Sequence, residues 1–248
     1  MYNNELRVAI VTGGTTGMGG ATSLLLAQKG YRVLAVSLSE NEQLLQAVRA
    51  DGGVIEFLAM DLAQAESAAR LIVEKAIELW GRLDLLVNCA GTIVHKEVET
   101  ITTSDWDHIF AVNLKAPFFL AQKALPYLAQ TKGNIINVSS TNAIHAQKKN
   151  QLYDSLKAAL NNLTKGLALD FRPHGVRVNA IMPGGVRTPL NEEWLGKHLG
   201  REPVEDDYQN PAIARPEQIA SVIIGLASDD FAWVNGVELP IDGGYSLG

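Results

Sequence analysis

Tyr153 and Lys157 stand four residues apart in the run Gln151-Leu-Tyr-Asp-Ser-Leu-Lys157. On a helix this spacing puts both side chains on one face, one turn apart. A phenol is a weak acid, with an ordinary pKa of about 10. An ammonium group beside it favours the phenolate and brings proton transfer within reach of neutral pH. Pairs of this kind also occur on surface helices by chance, so the chemistry depends on what accompanies them. Here the companion is a glycine-rich turn, Thr12-Gly-Gly-Thr-Thr-Gly-Met-Gly19, placed where a nucleotide would be held.

Those residues need a scaffold, and the chain supplies a regular one. Short apolar, β-branched runs at 7–12, 32–37, 54–59, 83–88, 134–139, 176–182 and 237–241 alternate with helical patterns at 18–29, 65–80, 106–130, 152–171 and 217–228. The strand runs are continuously apolar, as in parallel strands covered on both faces. The pattern predicts an α/β fold of Rossmann type, a doubly wound seven-stranded parallel sheet with helices on both faces. No repeat or linker interrupts residues 1–248, so one domain is expected. The polar stretch 191–212, with Pro203 and Pro211, is a candidate lid over a site.

Composition narrows the classes. Apolar residues make up 47% and charged residues 19% of the 248 positions, as in an ordinary globular protein. A net charge of -6 argues against a nucleic-acid surface. Cys89 is the single cysteine, which excludes an internal disulfide and suits a reducing compartment. The first seven residues carry no apolar signal core, and no apolar run reaches the length of a membrane helix. A cytoplasmic location is expected, without a membrane partner.

At the nucleotide end, the turn follows the first strand and opens the first helix. Its glycines permit close approach of a pyrophosphate, whose charge a helix N-terminus favours. The spacing departs from G-x-G-x-x-G. Dinucleotide folds that take NAD place an acid after the second strand to accept the ribose 2′-hydroxyl. Here that strand ends Val36-Ser37-Leu38-Ser39, with no acid before Glu40. A 2′-phosphate is therefore not repelled and serine hydroxyls can donate to it, although no cation lies nearby in sequence. NADP(H) is favoured over NAD(H). Asp61 fits two readings, an acceptor for the adenine amino group or a helix N-cap.

Taken together, Thr12–Gly19, Asp61, Asn88-Cys-Ala-Gly91, Asn113, Ser140, Tyr153 with Lys157, Pro183-Gly184 and Asp242-Gly-Gly244 resemble a classical short-chain dehydrogenase/reductase over essentially the whole chain. The resemblance implies an NAD(P)-dependent oxidoreductase interconverting a secondary alcohol and a ketone. It makes Tyr153 the acid/base, with its pKa lowered by Lys157, which also holds the nicotinamide ribose. It makes Ser140 the hydrogen-bond partner of the substrate oxygen, and Asn113 the holder of a water linking Lys157 to solvent. By the same resemblance Gly13, Thr15, Thr16, Gly17, Met18, Gly19, Ser37, Asp61, Leu62, Asn88, Ala90 and Gly91 line the cofactor. Pro183, Gly184, Val186 and Thr188 cradle its nicotinamide half. A homotetramer is implied, with the long helices around Asn113 and Tyr153 at one interface. No metal enters this reading.

Two positions depart from the family. Cys89 stands where a second Asn is frequent and reads as a small buried residue. Asp154 stands where a small residue is common; about 100° round the helix from Tyr153, it is expected to face solvent or a subunit contact. The loop between Ser140 and Tyr153 passes the substrate pocket in the family, and here it is unusually polar. Gln147 and Lys148 are candidate substrate contacts, and Lys148 or Lys149 can meet a carboxylate or phosphate unless they are a solvated pair. His95 edges the pocket or is a surface histidine; Trp194 closes over a ligand or packs a subunit interface. The substrate is a small molecule whose identity these residues do not give. The alternatives to the alcohol/ketone reading are a 3-oxoacyl thioester reductase and a nucleotide-binding regulator without turnover.

Overall fold

The computed structural model describes residues 6–192 and 213–247. Strands β1 (Val8–Thr12), β2 (Arg32–Ser37), β3 (Val54–Ala59), β4 (Leu85–Asn88), β5 (Asn134–Val138), β6 (Arg177–Pro183) and β9 (Glu238–Ile241) form one sheet in the order β3-β2-β1-β4-β5-β6-β9. Every pairing in it is parallel. The short strands β7 (Gly185–Val186) and β8 (Ile213–Ala214) pair separately. The order reverses between β1 and β4, the place where open α/β sheets open a crevice beyond the strand ends.

Alternation along each strand divides the interior into two layers. Val8 and Ile10 of β1, Leu34 and Val36 of β2, and Leu86 of β4 pack with helices α3 (Ala65–Trp80), α5 (Ala116–Thr131) and α6 (Gln151–Phe171). Ala9, Val11, Val33, Ala35, Leu85 and Val87 point the other way, onto helices α1 (Gly17–Gln28), α2 (Glu42–Ala50) and α7 (Pro216–Ala227). Burial on both faces is why these strands are apolar at every position and do not alternate.

Two elements differ from the sequence pattern. No helix was expected between β2 and β3, yet α2 forms there, capped by the Asn41 side chain accepting from the Leu44 N–H. Its buried residues, Leu45 and Val48, lie three apart on one face of the helix, the amphipathic pattern of a surface helix. The helix expected over 106–130 is broken: α4 (Thr103–Phe110) and α5 are joined by a π turn at Ala111–Lys115. Pro117 has no N–H, so the α-helical bond to the Asn113 carbonyl cannot form. The Asn113 side chain also donates to the Ile109 carbonyl (3.1 Å), and the backbone closes instead from the Ala116 N–H to the Ala111 carbonyl. A single turn with i→i+5 spacing relieves both conflicts.

A buried polar chain ties the sheet to α6. The Asn88 amide donates to Asn137 Oδ1 (2.8 Å), Asn137 donates to Thr164 Oγ1 (2.8 Å), and Thr164 donates to the Leu160 carbonyl (2.8 Å). Replacing Asn137 by Ala strands the Asn88 amide in the interior, and a destabilisation of about 1–3 kcal/mol is expected. Urea titration of the two proteins measures it; equal midpoints would show that the chain adds nothing to stability.

Candidate active site

The carboxyl ends of β1, β4 and β5 carry the polar residues that the strand interiors exclude. Thr12, at the end of β1, accepts at its hydroxyl from the Cys89 and Ala90 N–H groups (both 3.1 Å), which fixes the turn after β4. Gly13 then leaves β1 with φ +63°, and a Cβ there would stand 3.1 Å from the Ala90 backbone. Both the conformation and the close approach require glycine. Thr16 precedes α1 and makes no side-chain cap, so the first N–H groups of the helix are left to face whatever lies beyond. A pyrophosphate fits such an end.

Beyond these turns lies a cavity of about 340 Å³, lined by Gly13, Thr16, Gly17, Met18 and Gly19, by Ser37, Asp61 and Leu62, by Ala90 and Gly91, and by Tyr153, Lys157 and Thr188. A second, of about 350 Å³, is lined by Ser140, Gln147, Pro183, Gly184 and Val186; Met18, Ser139, Tyr153, Thr188 and Leu190 belong to both. The two cavities meet at the Tyr153 phenol. This is the shape a two-ligand reaction needs, with one ligand on each side of a proton-transfer group.

Tyr153 and Lys157 lie on the first two turns of α6. The Lys157 ammonium is 5.4 Å from the centre of the Tyr153 ring, and it donates to the Val138 carbonyl at the end of β5 (2.8 Å). Ser140, just beyond β5, shares the second cavity with the phenol and pulls its pKa down. Asn113 lies behind them, 1% exposed, donating to the Thr92 carbonyl (2.9 Å) and accepting from the Thr92 N–H (3.3 Å). Gly91 keeps the passage between Asn113 and Lys157 open: a Cβ there would be 3.0 Å from Asn113 Oδ1 and 3.7 Å from the Lys157 nitrogen.

The electrostatics differ from the sequence expectation. Burial pushes the Tyr153 phenol up to about 12, with Ser140 pulling it down and Asp154 and Cys89 adding to the rise. Burial also brings Lys157 down to about 8, which Cys89 opposes. Desolvation therefore outweighs the help an ammonium gives a phenolate, and the free protein holds Tyr153 neutral at pH 7. A neutral phenol is a proton donor ready for a carbonyl oxygen.

Other predicted residues fall elsewhere. Thr15 is buried, and its hydroxyl donates to the Ser39 carbonyl (3.1 Å); Asn88 is buried in the polar chain below the turn. Asp61 lines the first cavity and also accepts from the Ala63 N–H (2.9 Å), so it serves as an N-cap whatever else it meets. Cys89 is half-buried and walls the first cavity; burial raises its thiol to about 12, against the pull of Lys157. His95 is exposed, with its ring 3.3 Å from Asn150 Oδ1. Lys148 is exposed and lines neither cavity, and Lys149 pairs with Glu97 (2.6 Å). Trp194 and most of the stretch 191–212 lie outside the described residues.

Asp154 is a correction: it is 7% exposed and faces the loop after β5, not solvent. Asn142, Asn150, Ile93 and Tyr245 also line the second cavity, brought there by loops whose course the sequence does not fix.

A family model described as enoyl-(acyl carrier protein) reductase matches residues 13–246. A 3-oxoacyl-(acyl-carrier-protein) reductase of Thermotoga maritima is 33% identical, over 98% of this chain and 99% of its own. A 2,5-dichloro-2,5-cyclohexadiene-1,4-diol dehydrogenase of Sphingobium indicum is 35% identical, over 98% and 97%. A solved structure described as a 2-deoxy-D-gluconate 3-dehydrogenase of Agrobacterium tumefaciens, with bound NADP, superposes with a TM-score of 0.86 at 30% identity, covering 99% of this chain and 98% of that one. The chain belongs to the short-chain dehydrogenase/reductase family. It is an oxidoreductase acting on CH–OH groups of small molecules, in a family served by nicotinamide coenzymes.

The depressed Lys157 carries a stability signature. Between about pH 8 and its ordinary pKa of 10.5, the unfolded chain binds more protons than the folded one at this site, so stability rises with pH across that window. Relative to Lys157→Met, the wild type is expected to gain thermal stability as pH is raised from 7.5 to 9.5. A melting-temperature difference independent of pH would show that the ammonium is not held at a cost.

Proposed function

We propose that the protein interconverts a secondary alcohol and a ketone with Tyr153 as the proton-transfer group, and that its substrate is a neutral, polar small molecule. The observation that carries this reading is the position of Tyr153, which lines both cavities with Ser140 beside it in the second and Lys157 beside it in the first. When bound, a nicotinamide coenzyme supplies or accepts the hydride. Thr16, the start of α1 and the turn Ala90–Gly91 hold its phosphates and ribose. In the reducing direction Ser140 holds the substrate oxygen and Tyr153 gives it a proton. Lys157 then stabilises the phenolate left behind, and Asn113, through the gap that Gly91 keeps open, lies on the route by which the proton is replaced.

The substrate class follows from the second cavity. Its described lining offers amides and hydroxyls from Asn142, Gln147, Asn150, Ser140 and Tyr245, and no charged side chain among the described residues. Lys148 lines neither cavity, and Lys149 is paired with Glu97. NADP(H) is the coenzyme we favour, because Ser37 and Leu38 line the first cavity where a carboxylate would select NAD(H). The relative with 3-oxoacyl reductase activity supports a second reading, a thioester substrate. We also infer a homotetramer, since Trp106, Phe110 and Phe118 of α4 and α5, Leu169 of α6 and the fully exposed Trp233 are apolar surface that an assembly would cover. The single cysteine accords with a reducing cytoplasm.

Replacing Tyr153 by Phe is expected to cut turnover of a neutral hydroxyketone by about 10²–10⁴-fold while leaving coenzyme affinity nearly unchanged. Retained turnover would sink the assignment of the phenol. Comparing NADPH with NADH in the wild type and in Ser37→Asp tests the coenzyme: preference for NADPH, shifting toward NADH in the variant, is expected. Faster reduction of an acetoacetyl thioester than of any neutral ketone would move the substrate to the second reading.

A further inference from the structure

Asp154 is a buried acid in a catalytic helix, and it forms no ion pair among the described residues. Oδ1 accepts from the Asn142 side-chain amide (2.8 Å), and Oδ2 accepts from the Gln147 backbone N–H (2.7 Å). Asn142 in turn donates its backbone N–H to Ser140 Oγ (3.1 Å), and Ser140 lines the second cavity together with Tyr153. Tyr153 and Asp154 are consecutive residues, so Tyr153, Asp154, Asn142 and Ser140 form a ring whose last side is the approach of Ser140 to the phenol across the second cavity.

A ring of this kind removes a freedom that the fold otherwise leaves. Tyr153 rides on a long helix, but Ser140 rides on a loop, and between them the backbone runs through residues 141–150 with only one short 3₁₀ turn, Thr141–Ala143. Charge-assisted hydrogen bonds to a carboxylate are the strong kind, and a residue needs two acceptor oxygens to take both arms at once. The start of α6 offsets part of the cost of burying the charge. Lys149 pairs with Glu97 and the Lys157 ammonium donates to the Val138 carbonyl, so the loop amides are what Asp154 serves. Both residues it holds, Asn142 and Gln147, wall the second cavity.

We propose that Asp154 is a positioning residue, which pins the loop after β5 to the catalytic helix and thereby sets the Ser140–Tyr153 spacing and the shape of the substrate wall. The proposal rests on the reading that Ser140 and Tyr153 hold the substrate oxygen. It assigns Asp154 to the substrate side alone: the first cavity takes nothing from the ring except Tyr153 itself.

The test compares wild type, Asp154→Ala and Asp154→Asn on a ketone that the wild type reduces, with coenzyme affinity read by fluorescence titration and the exchange of the Gln147 amide followed by NMR. For Asp154→Ala, kcat/KM is expected to fall about 10- to 100-fold, mostly in kcat, as for a reacting group misplaced by about an ångström. Coenzyme affinity stays within about twofold, and the Gln147 amide exchanges faster, as expected once the acceptor of its hydrogen bond is removed. Asp154→Asn, which keeps one acceptor, recovers part of the loss. If Asp154→Ala does not fold, Asn142→Ala removes one arm alone and is expected to lower kcat, again without a change in coenzyme affinity. Kinetics equal to wild type, an unchanged Gln147 amide, or a loss of coenzyme affinity in step with kcat/KM would each overturn the proposal. A wild type inert on every ketone would overturn the substrate reading instead, and the Gln147 amide would then decide the clamp by itself.

Discussion

Helix α6 is bound to strand β5 by polar contacts at successive heights, and the site exists because that seam does not slip. Asn137 reaches Thr164, the Lys157 ammonium reaches the Val138 carbonyl, and the Ser139 hydroxyl reaches the Lys157 carbonyl (3.1 Å). Each bond joins a strand position to a helix position, and together they set both the height and the rotation of α6 against the sheet. A rotation of one residue, about 100°, would turn Tyr153 out of both cavities. Apolar packing alone would not forbid it, since hydrophobic contact has no direction.

The seam also explains why a lysine is tolerated inside the protein. Its charge is disfavoured there, yet its bond to the Val138 carbonyl fixes the nitrogen beside the Tyr153 ring. The result is a pair whose members are both held toward neutrality, the phenol up and the amine down. Fixed donors beside the phenol become strongly coupled to a substrate oxygen once it develops charge, because a preorganised site has little to reorient.

Much of this was legible in the residues. The glycine turn, the apolar strand runs and the Tyr153–Lys157 spacing report local constraints, and the sheet and both cavity floors follow from them. The helix break at Asn113 was not legible as a break, although Pro117 stands four residues on: Pro inside a helical pattern has several outcomes, and tertiary contact with Thr92 selects this one. Asp154 was misplaced because helical geometry gives an angle relative to Tyr153, not what fills that direction. The loop that fills it, and Asn142 and Gln147 with it, is placed by donors and acceptors far too local for hydrophobic periodicity to register. Lys148 and Lys149 had the right charge for an acidic substrate, but Lys149 sits at φ +64° on a turn that faces Glu97.

The order of strands in the sheet bears on how the chain comes off the ribosome. β1 cannot gain its second neighbour until residues 85–88 have emerged, and β6 waits for the final stretch at 238–241. A growing chain of some 190 residues therefore carries a finished nucleotide half while the edge of β6 remains unpaired. An open parallel edge of that kind invites pairing with other chains. The last tenth of the protein pairs that edge and also brings Tyr245 to the second cavity, so the strand that completes the sheet arrives together with part of the substrate wall.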